Sequence, residues 1–270
     1  MATVGGVRID ARPLFAPLRR DLIMLLKELP RAAWSAPTVC GDWTVQDVAA
    51  HLLGVELANV AARRDGMRAG PVAGQPLAEW LADYNAQWVA ACRRISPPLL
   101  VDHLALAAAA FDDYVQGLDI DQLGEPVSWA GPGPAPVWLD VAREYTERWT
   151  HQQQIREAVG SPHADPAQAA AVIATFVHAL PVALAAAPAA DGATVAFTVT
   201  GDGGGAWQLT RRSERWQLQR GTPPHPTASV STTVDGAWRL FTQHPLTPPL
   251  MATGDTALTN AVHAATAIIR

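Results

Sequence analysis

Lysine is almost missing from this chain. Lys27 stands alone among 270 residues, against 19 arginines and 51 alanines. The imbalance reads as the codon bias of a GC-rich genome and carries no chemistry of its own. Cysteine is nearly as scarce: Cys40 and Cys92 are too few for a disulfide framework or a four-cysteine zinc site, and a reducing cytosol leaves both as thiols. An excess of positive charge is lacking too. The formal net charge of −5 excludes the basic footprint of a nucleic-acid-binding surface. No window reaches the roughly 18 uninterrupted apolar residues of a membrane-spanning helix; the nearest, Ala179 to Ala190, is broken by Pro181 and Pro188. Met1 to Asp10 lack the basic-then-apolar order of a secretory signal. These absences lead us to expect a cytoplasmic protein with neither nucleic acid nor membrane as partner.

Apolar material is plentiful. Hydrophobic residues make up 49% and charged residues 17%, enough for a sizeable core, and the length suits two domains. Up to about residue 165 the periodicity is helical. Leu14, Leu18, Leu22, Leu25, Leu26 and Leu29 recur at spacings of three and four over Arg12 to Leu29, and Pro30 ends the run. After a loop, Thr44 and Asp47 form a capping-box pattern that opens a helix through His51 to about Arg64. Further helices are expected from Pro76 to Ile95, from Pro97-Pro98 to about Leu118, and from Val137 to Val159, where Gly160 stops the pattern. Long helices joined by loops make a four-helix antiparallel bundle. Asp165-Pro166 starts another helix. Strands are then expected over Thr194–Thr200, Ala206–Arg211, Arg215–Arg220 and Ala228–Val234, with helices over Ala237–Gln243 and from about Asp255 to Ile269. The fold class is therefore mainly α followed by α+β, with a small antiparallel sheet carrying helices.

The constellation with chemical potential is Glu147 and His151 on one helix and His51 on another. Residues four apart stack one turn above each other. At 100° per residue, Val141, Tyr145, Trp149, Ile155 and Val159 form the apolar stripe, while Glu144, Glu147 and His151 line its flank. Two imidazoles and a carboxylate from facing helices suit a divalent metal with one position left open. The same spacing also suits a solvated pair on a helix flank, and Glu144 suits either a hydrogen-bond acceptor for His151, a base, or an exposed charge. Cys40 and Cys92 read as small buried residues. His103, His178 and His263 fit ordinary helical packing, and His163, His225 and His244 sit beside prolines in loops. Gly201-Asp202-Gly203-Gly204-Gly205 opens no helix of a βαβ unit, so it is a turn and not a dinucleotide loop.

The stretch from Pro37 to Leu52 (PTVCGDWTVQDVAAHL) resembles the first signature of the DinB-like, mycothiol-dependent maleylpyruvate isomerase family, with Asp42 between the expected Gly41 and Trp43. The stretch from Glu147 to Gly160 (ERWTHQQQIREAVG) resembles the second, and Gly254 to Leu258 (GDTAL) is similar to the opening of the family's last helix. The resemblance implies a DinB-like metal-binding four-helix bundle over residues 1–162 and a smaller sterol-carrier-like α+β domain over 163–270. It implies His51, Glu147 and His151 as ligands of a divalent metal, usually zinc, and mycothiol as a borrowed low-molecular-weight thiol. It implies cis–trans isomerisation of a small keto acid, or thiol S-transfer to a small electrophile. It also implies an arginine of the C-terminal domain as carboxylate clamp, for which Arg220 and Arg239 are the candidates. Two rival readings stay open: a non-catalytic metal- and small-ligand-binding protein, and a thiol-dependent enzyme of secondary metabolism. The family is found largely in high-GC actinobacteria, which agrees with the arginine-for-lysine bias.

Overall fold

The computed structural model describes residues 7–161, 165–246 and 248–267. His163 and the expected division at 162/163 lie outside the described residues; the last helix, expected to run to Ile269, ends at His263. The chain gathers into two compact units: Arg12–Leu118 with Glu147–Ala164, and Met1–Ala11 with Asp119–Thr146 and Asp165–Ile269.

The bundle unit begins with α1 (Arg12–Glu28), which buries Phe15, Leu18, Leu22 and Leu26 at helical spacing. A 3-10 turn, Arg31–Ser35, follows. In α2 (Val45–Asn59) the capping box is realised: Asp47 N–H donates to the Thr44 hydroxyl, and the Thr44 N–H donates to the Asp47 carboxylate at 3.1 Å. The helix runs on through a π-turn, Val60–Arg64. Next come α3 (Leu77–Cys92), with Pro76 just before its first turn and no side-chain cap, and α4 (Pro97–Gln116), whose prolines occupy the first helical turn where no N–H is needed. The last of these long helices is α5 (Val137–Ala158); the division between the units falls within it, after Thr146. Helix α4 packs against both α1 and α2, and α3 packs on α2. Gly54 makes that second contact possible, because a Cβ there would lie 2.6 Å from the Trp88 indole, whose Nε1 donates to the Ala50 carbonyl at 2.8 Å.

Helix α5 departs from the amphipathic stripe expected of it. Val141, Tyr145, Trp149 and Ile155 are buried, but so are Glu144, Thr146, Arg148, Thr150, Gln152, Gln153 and Gln154. Some of these polar residues bond within the helix, as Glu144 and Thr146 do with Arg143, while Arg148 meets Glu56 of α2 and Gln154 accepts from Cys40 of the loop before α2.

The second unit carries α6 (Pro166–Phe176), capped by the Asp165 carboxylate, and α7 (Leu180–Ala183). The stretch Pro166–Ala183 is long and apolar enough to cross a membrane by composition, and 61% of it is buried inside the protein, as a core segment is. Strands β1 (Thr194–Thr200), β2 (Gly205–Arg212), β3 (Arg215–Arg220), β4 (Ala228–Thr233) and β5 (Met251–Gly254) form one sheet in the order β3-β2-β1-β4-β5. The 201–205 turn closes the β1–β2 hairpin; a side chain at Gly204 would run into the Val199 carbonyl oxygen. The sheet is mixed and not antiparallel throughout, since β4 lies parallel to β1 with Phe197 opposite Val230. The proline-rich connection 221–227 carries the chain to the far side of β1 without reversing it. Strand β5 has no alternation to betray it, being exposed at every position. Helices α8 (Val234–Phe241) and α9 (Thr256–His263) complete the unit.

Candidate metal centre

The loop before α2 is folded tightly. Pro37 bridges Thr44, the Thr38 hydroxyl donates to the Trp43 carbonyl at 2.7 Å, and the Cys40 N–H donates to the Thr38 hydroxyl at 3.1 Å. Gly41 supplies the left-handed residue, φ 60°. This loop sets the Trp43 ring 5.2 Å from the His51 ring. Two turns into α2, His51 faces α5, and its ring lies 4.6 Å from that of His151.

Three ligand atoms converge. Both His51 Nε2 (3.2 Å) and His151 Nε2 (3.1 Å) reach the same oxygen, Glu147 Oε1. A tetrahedral shell with bonds of about 2.0–2.1 Å to nitrogen and oxygen spaces its ligand atoms about 3.3 Å apart, so these separations fit a zinc-sized cation. Among the described residues this is the one group of three or more such side chains within mutual reach. Neither cysteine belongs to it, which makes the protein's share of the shell three ligands. His51 is buried, whereas Glu147 and His151 keep partial exposure, so the cluster is open on one side.

The second ring nitrogen of His151 is also committed. Nδ1 donates to Gln154 Oε1 at 2.6 Å, and the Cys40 thiol donates to the same oxygen at 2.9 Å. With Nδ1 carrying the hydrogen, Nε2 is the atom left for coordination. Burial and charge have sorted the protons. Burial alone would raise the Glu147 carboxyl, but the two imidazoles hold it well below the usual carboxylate range. Burial pushes His51 below its ordinary value against the pull of Glu147. Burial works the same way on His151, yet Glu147 and the Cys40 thiol outweigh it and carry the imidazole up to about 10. Metal-free, the cluster holds one proton between His151 and Glu147.

One turn from His51, Glu56 receives both arms of Arg148, at 2.8 and 2.7 Å, with both side chains buried. The Arg148 guanidinium lies over the Phe111 ring at 4.2 Å. This bidentate pair ties α2 to α5 beside the ligands. Together with Arg19 and Asp112, which pair at 2.8 Å, it lines a cavity of about 20 Å³, room for one water.

The sequence-derived ligands His51, Glu147 and His151 are thus brought together. Glu144 is not the acceptor for His151; it is buried in an ion pair with Arg143. Arg220 and Arg239 belong to the other unit. Arg239 pairs with Asp235 at 2.8 Å and stacks on Trp238, whereas Arg220 is exposed at the end of β3 and lies 5.9 Å from the Trp207 ring. Sequence reasoning missed Gln154, whose signal was its position three residues after His151. It also set Cys40 aside as a packing residue, while the structure places the thiol in hydrogen-bond reach of Gln154.

Comparisons with known proteins bear on the family and the fold. The profile of the mycothiol maleylpyruvate isomerase N-terminal domain matches residues 15–156. The crystal structure of the mycothiol-dependent maleylpyruvate isomerase superposes with a TM-score of 0.56 at 12% identity, over 91% of this chain and 92% of that one. A histidine-to-alanine mutant of the mycothiol-dependent maleylpyruvate isomerase gives a TM-score of 0.52 at 12% identity, over 85% and 86%. At that identity the likeness is one of fold, a helical N-terminal domain followed by an α+β part. Among curated proteins no sequence matches.

Proposed function

The chain belongs to the mycothiol maleylpyruvate isomerase family, and on that premise we propose that it is a divalent-metal enzyme using a low-molecular-weight thiol. The observation that carries the proposal is the three-ligand convergence of His51, Glu147 and His151 on an open side of the bundle. Three protein ligands with a vacant position are the pattern of catalytic zinc, whereas structural zinc is closed by four. Zinc is the expected ion, from the two-imidazole, one-carboxylate donor set. When bound, such an ion supplies the Lewis acidity that keeps a thiol ionised near neutral pH. The thiol comes from a cofactor, mycothiol, because neither Cys40 nor Cys92 is within ligand reach of the cluster.

The residues divide the work. His51, Glu147 and His151 hold the ion. Gln154 accepts the His151 Nδ1–H, and Arg148 with Glu56 fixes α2 against α5. Addition of the thiol sulfur to an activated double bond forms a C–S bond and moves the π electrons onto a conjugated carbonyl. Rotation about the resulting single bond and loss of the thiol return the trans alkene. With a leaving group in place of the double bond the same sulfur performs S-transfer. A keto-acid carboxylate needs a cation, for which Arg220 and Arg239 stay the two candidates.

The test is metal content followed by activity. The purified protein is expected to bind about one zinc per chain, to lose it in His151→Ala, and, zinc-loaded with mycothiol, to convert maleylpyruvate to its trans isomer or to conjugate a small electrophile. A wild-type protein that binds no divalent metal refutes the site. A zinc-loaded protein inert in both reactions refutes the enzymatic reading.

A further inference from the structure

We propose that Gln154 is the positioning residue of the metal centre, that Cys40 sets its amide, and that an amide at this position favours an anionic fourth ligand. The inference rests on the metal-site reading above. Gln154 Oε1 takes two donors, His151 Nδ1–H at 2.6 Å and the Cys40 thiol at 2.9 Å. An amide can present either oxygen or nitrogen. Two donors converging from opposite partners leave the oxygen as the only end that satisfies both, so the thiol holds the amide in the orientation His151 requires. Gln154 is buried at 4% exposure and Cys40 sits in the closed loop before α2, so neither partner is free to drift. The loop carrying Cys40 is thereby coupled to a ligand on α5 that it does not touch in sequence.

The choice of an amide has an electrostatic consequence. A histidine ligand commonly gives its second N–H to a carboxylate or a backbone carbonyl. A carboxylate at Gln154 would bring a second negative charge beside Glu147. With the neutral amide, the charges of a divalent ion and one carboxylate sum to +1, because Arg148 and Glu56 cancel one another. A net positive centre in a poorly screened interior attracts an anion such as a thiolate. Gln154 therefore serves two ends: it aims Nε2 of His151, and it spares the positive charge that draws sulfur.

The two roles separate in two substitutions. In Gln154→Leu the acceptor is lost; zinc affinity, measured by competition with a chromophoric chelator, is expected to fall about 10–100-fold. In Gln154→Glu the acceptor is kept; zinc affinity is expected to hold or rise. The affinity of the cobalt-substituted protein for 2-mercaptoethanol, read from the sulfur-to-cobalt charge-transfer band, is expected to fall about tenfold or more. Cys40→Ser is expected to behave as wild type in both assays and Cys40→Ala to move toward Gln154→Leu. Thermal melting of the metal-free variants controls for folding. In metal-free wild-type protein, nuclear magnetic resonance should show a slowly exchanging His151 Nδ1–H that Gln154→Leu lacks. Unchanged zinc affinity in Gln154→Leu overturns the positioning role, and unchanged thiol affinity in Gln154→Glu overturns the charge role. If wild-type protein binds no zinc but shows the protected Nδ1–H, the metal-site reading falls and this proposal falls with it; if zinc binds and that signal is missing, only the proposal fails.

Discussion

Loading the metal-free protein with zinc near neutral pH should release one proton. Glu147 is held well below the usual carboxylate range and is already anionic. His51, pushed down from 6.5 by burial, is already neutral. His151, raised to about 10 by Glu147 and Cys40 against the opposing effect of burial, still carries a proton on the nitrogen that the ion needs. Zinc must displace that one proton, so from about pH 6.5 to about 10 the apparent affinity should rise about tenfold per pH unit, some 1.4 kcal/mol each. Above about 10 the slope should vanish, and below the depressed pKa of His51 it should steepen toward two. The stability of the metal-free protein has the complementary dependence. A histidine whose folded pKa lies above 6.5 contributes fully below 6.5, and the contribution is lost as pH rises through about 10. Titration calorimetry in two buffers of different ionisation enthalpy counts the protons, and chelator competition across pH gives the slope. A count near zero, or an affinity flat between pH 7 and 9, would refute the assignment of the proton to His151.

Three further outcomes follow from the packing. His178 is buried, donates to the Val7 carbonyl at 3.0 Å, and is pushed from 6.5 to about 4 by burial. Its folded pKa is depressed, so stability should be intact above 6.5 and fall by about 3 kcal/mol as pH drops toward 4; urea denaturation at the two pH values should show that loss, and His178→Gln should lack it. Glu56→Ala takes the carboxylate from the buried Arg148 and should cost about 3–5 kcal/mol, whereas Glu56→Leu with Arg148→Met should recover most of it in the same urea assay. Gly54→Ala drives a methyl group into the Trp88 indole and should cost about 1–3 kcal/mol, with a shift in Trp88 emission as the ring leaves the Ala50 carbonyl.

Much of the fold was legible because its signals are local. Thr44 with Asp47, Asp165 before Pro166, Gly160 after α5 and the leucines of α1 announce themselves within a turn or two. Of the candidate ligands, Glu147 and His151 share a face by spacing alone, while His51 was joined to them through the family resemblance. The topology of the sheet was not. Alternation in β4 is the same whether it pairs parallel or antiparallel, and only the path of 221–227 decides. β5 went unseen because an exposed edge strand buries no alternate residues.

Helix α5 shows where reading a sequence by periodicity fails for a physical reason. A hydrophobic stripe predicts burial only if polar side chains lack partners inside, and that condition is a property of the other helices. Arg148 is affordable in the interior because Glu56 on α2 and Phe111 on α4 receive it, and Gln154 because His151 and Cys40 both point at its oxygen. Glu56, Phe111 and Cys40 lie far away in sequence, and only His151 falls within the same stretch of α5, so a window along that helix holds little of the information. The same long-range pairing is what a metal centre demands. A cation needs ligands from separate elements held to a few tenths of an ångström, and apolar packing alone does not specify that register. The polar interior of α5 therefore disagrees with its own local pattern at the positions that aim His51, Glu147 and His151. That disagreement falls at the proposed site.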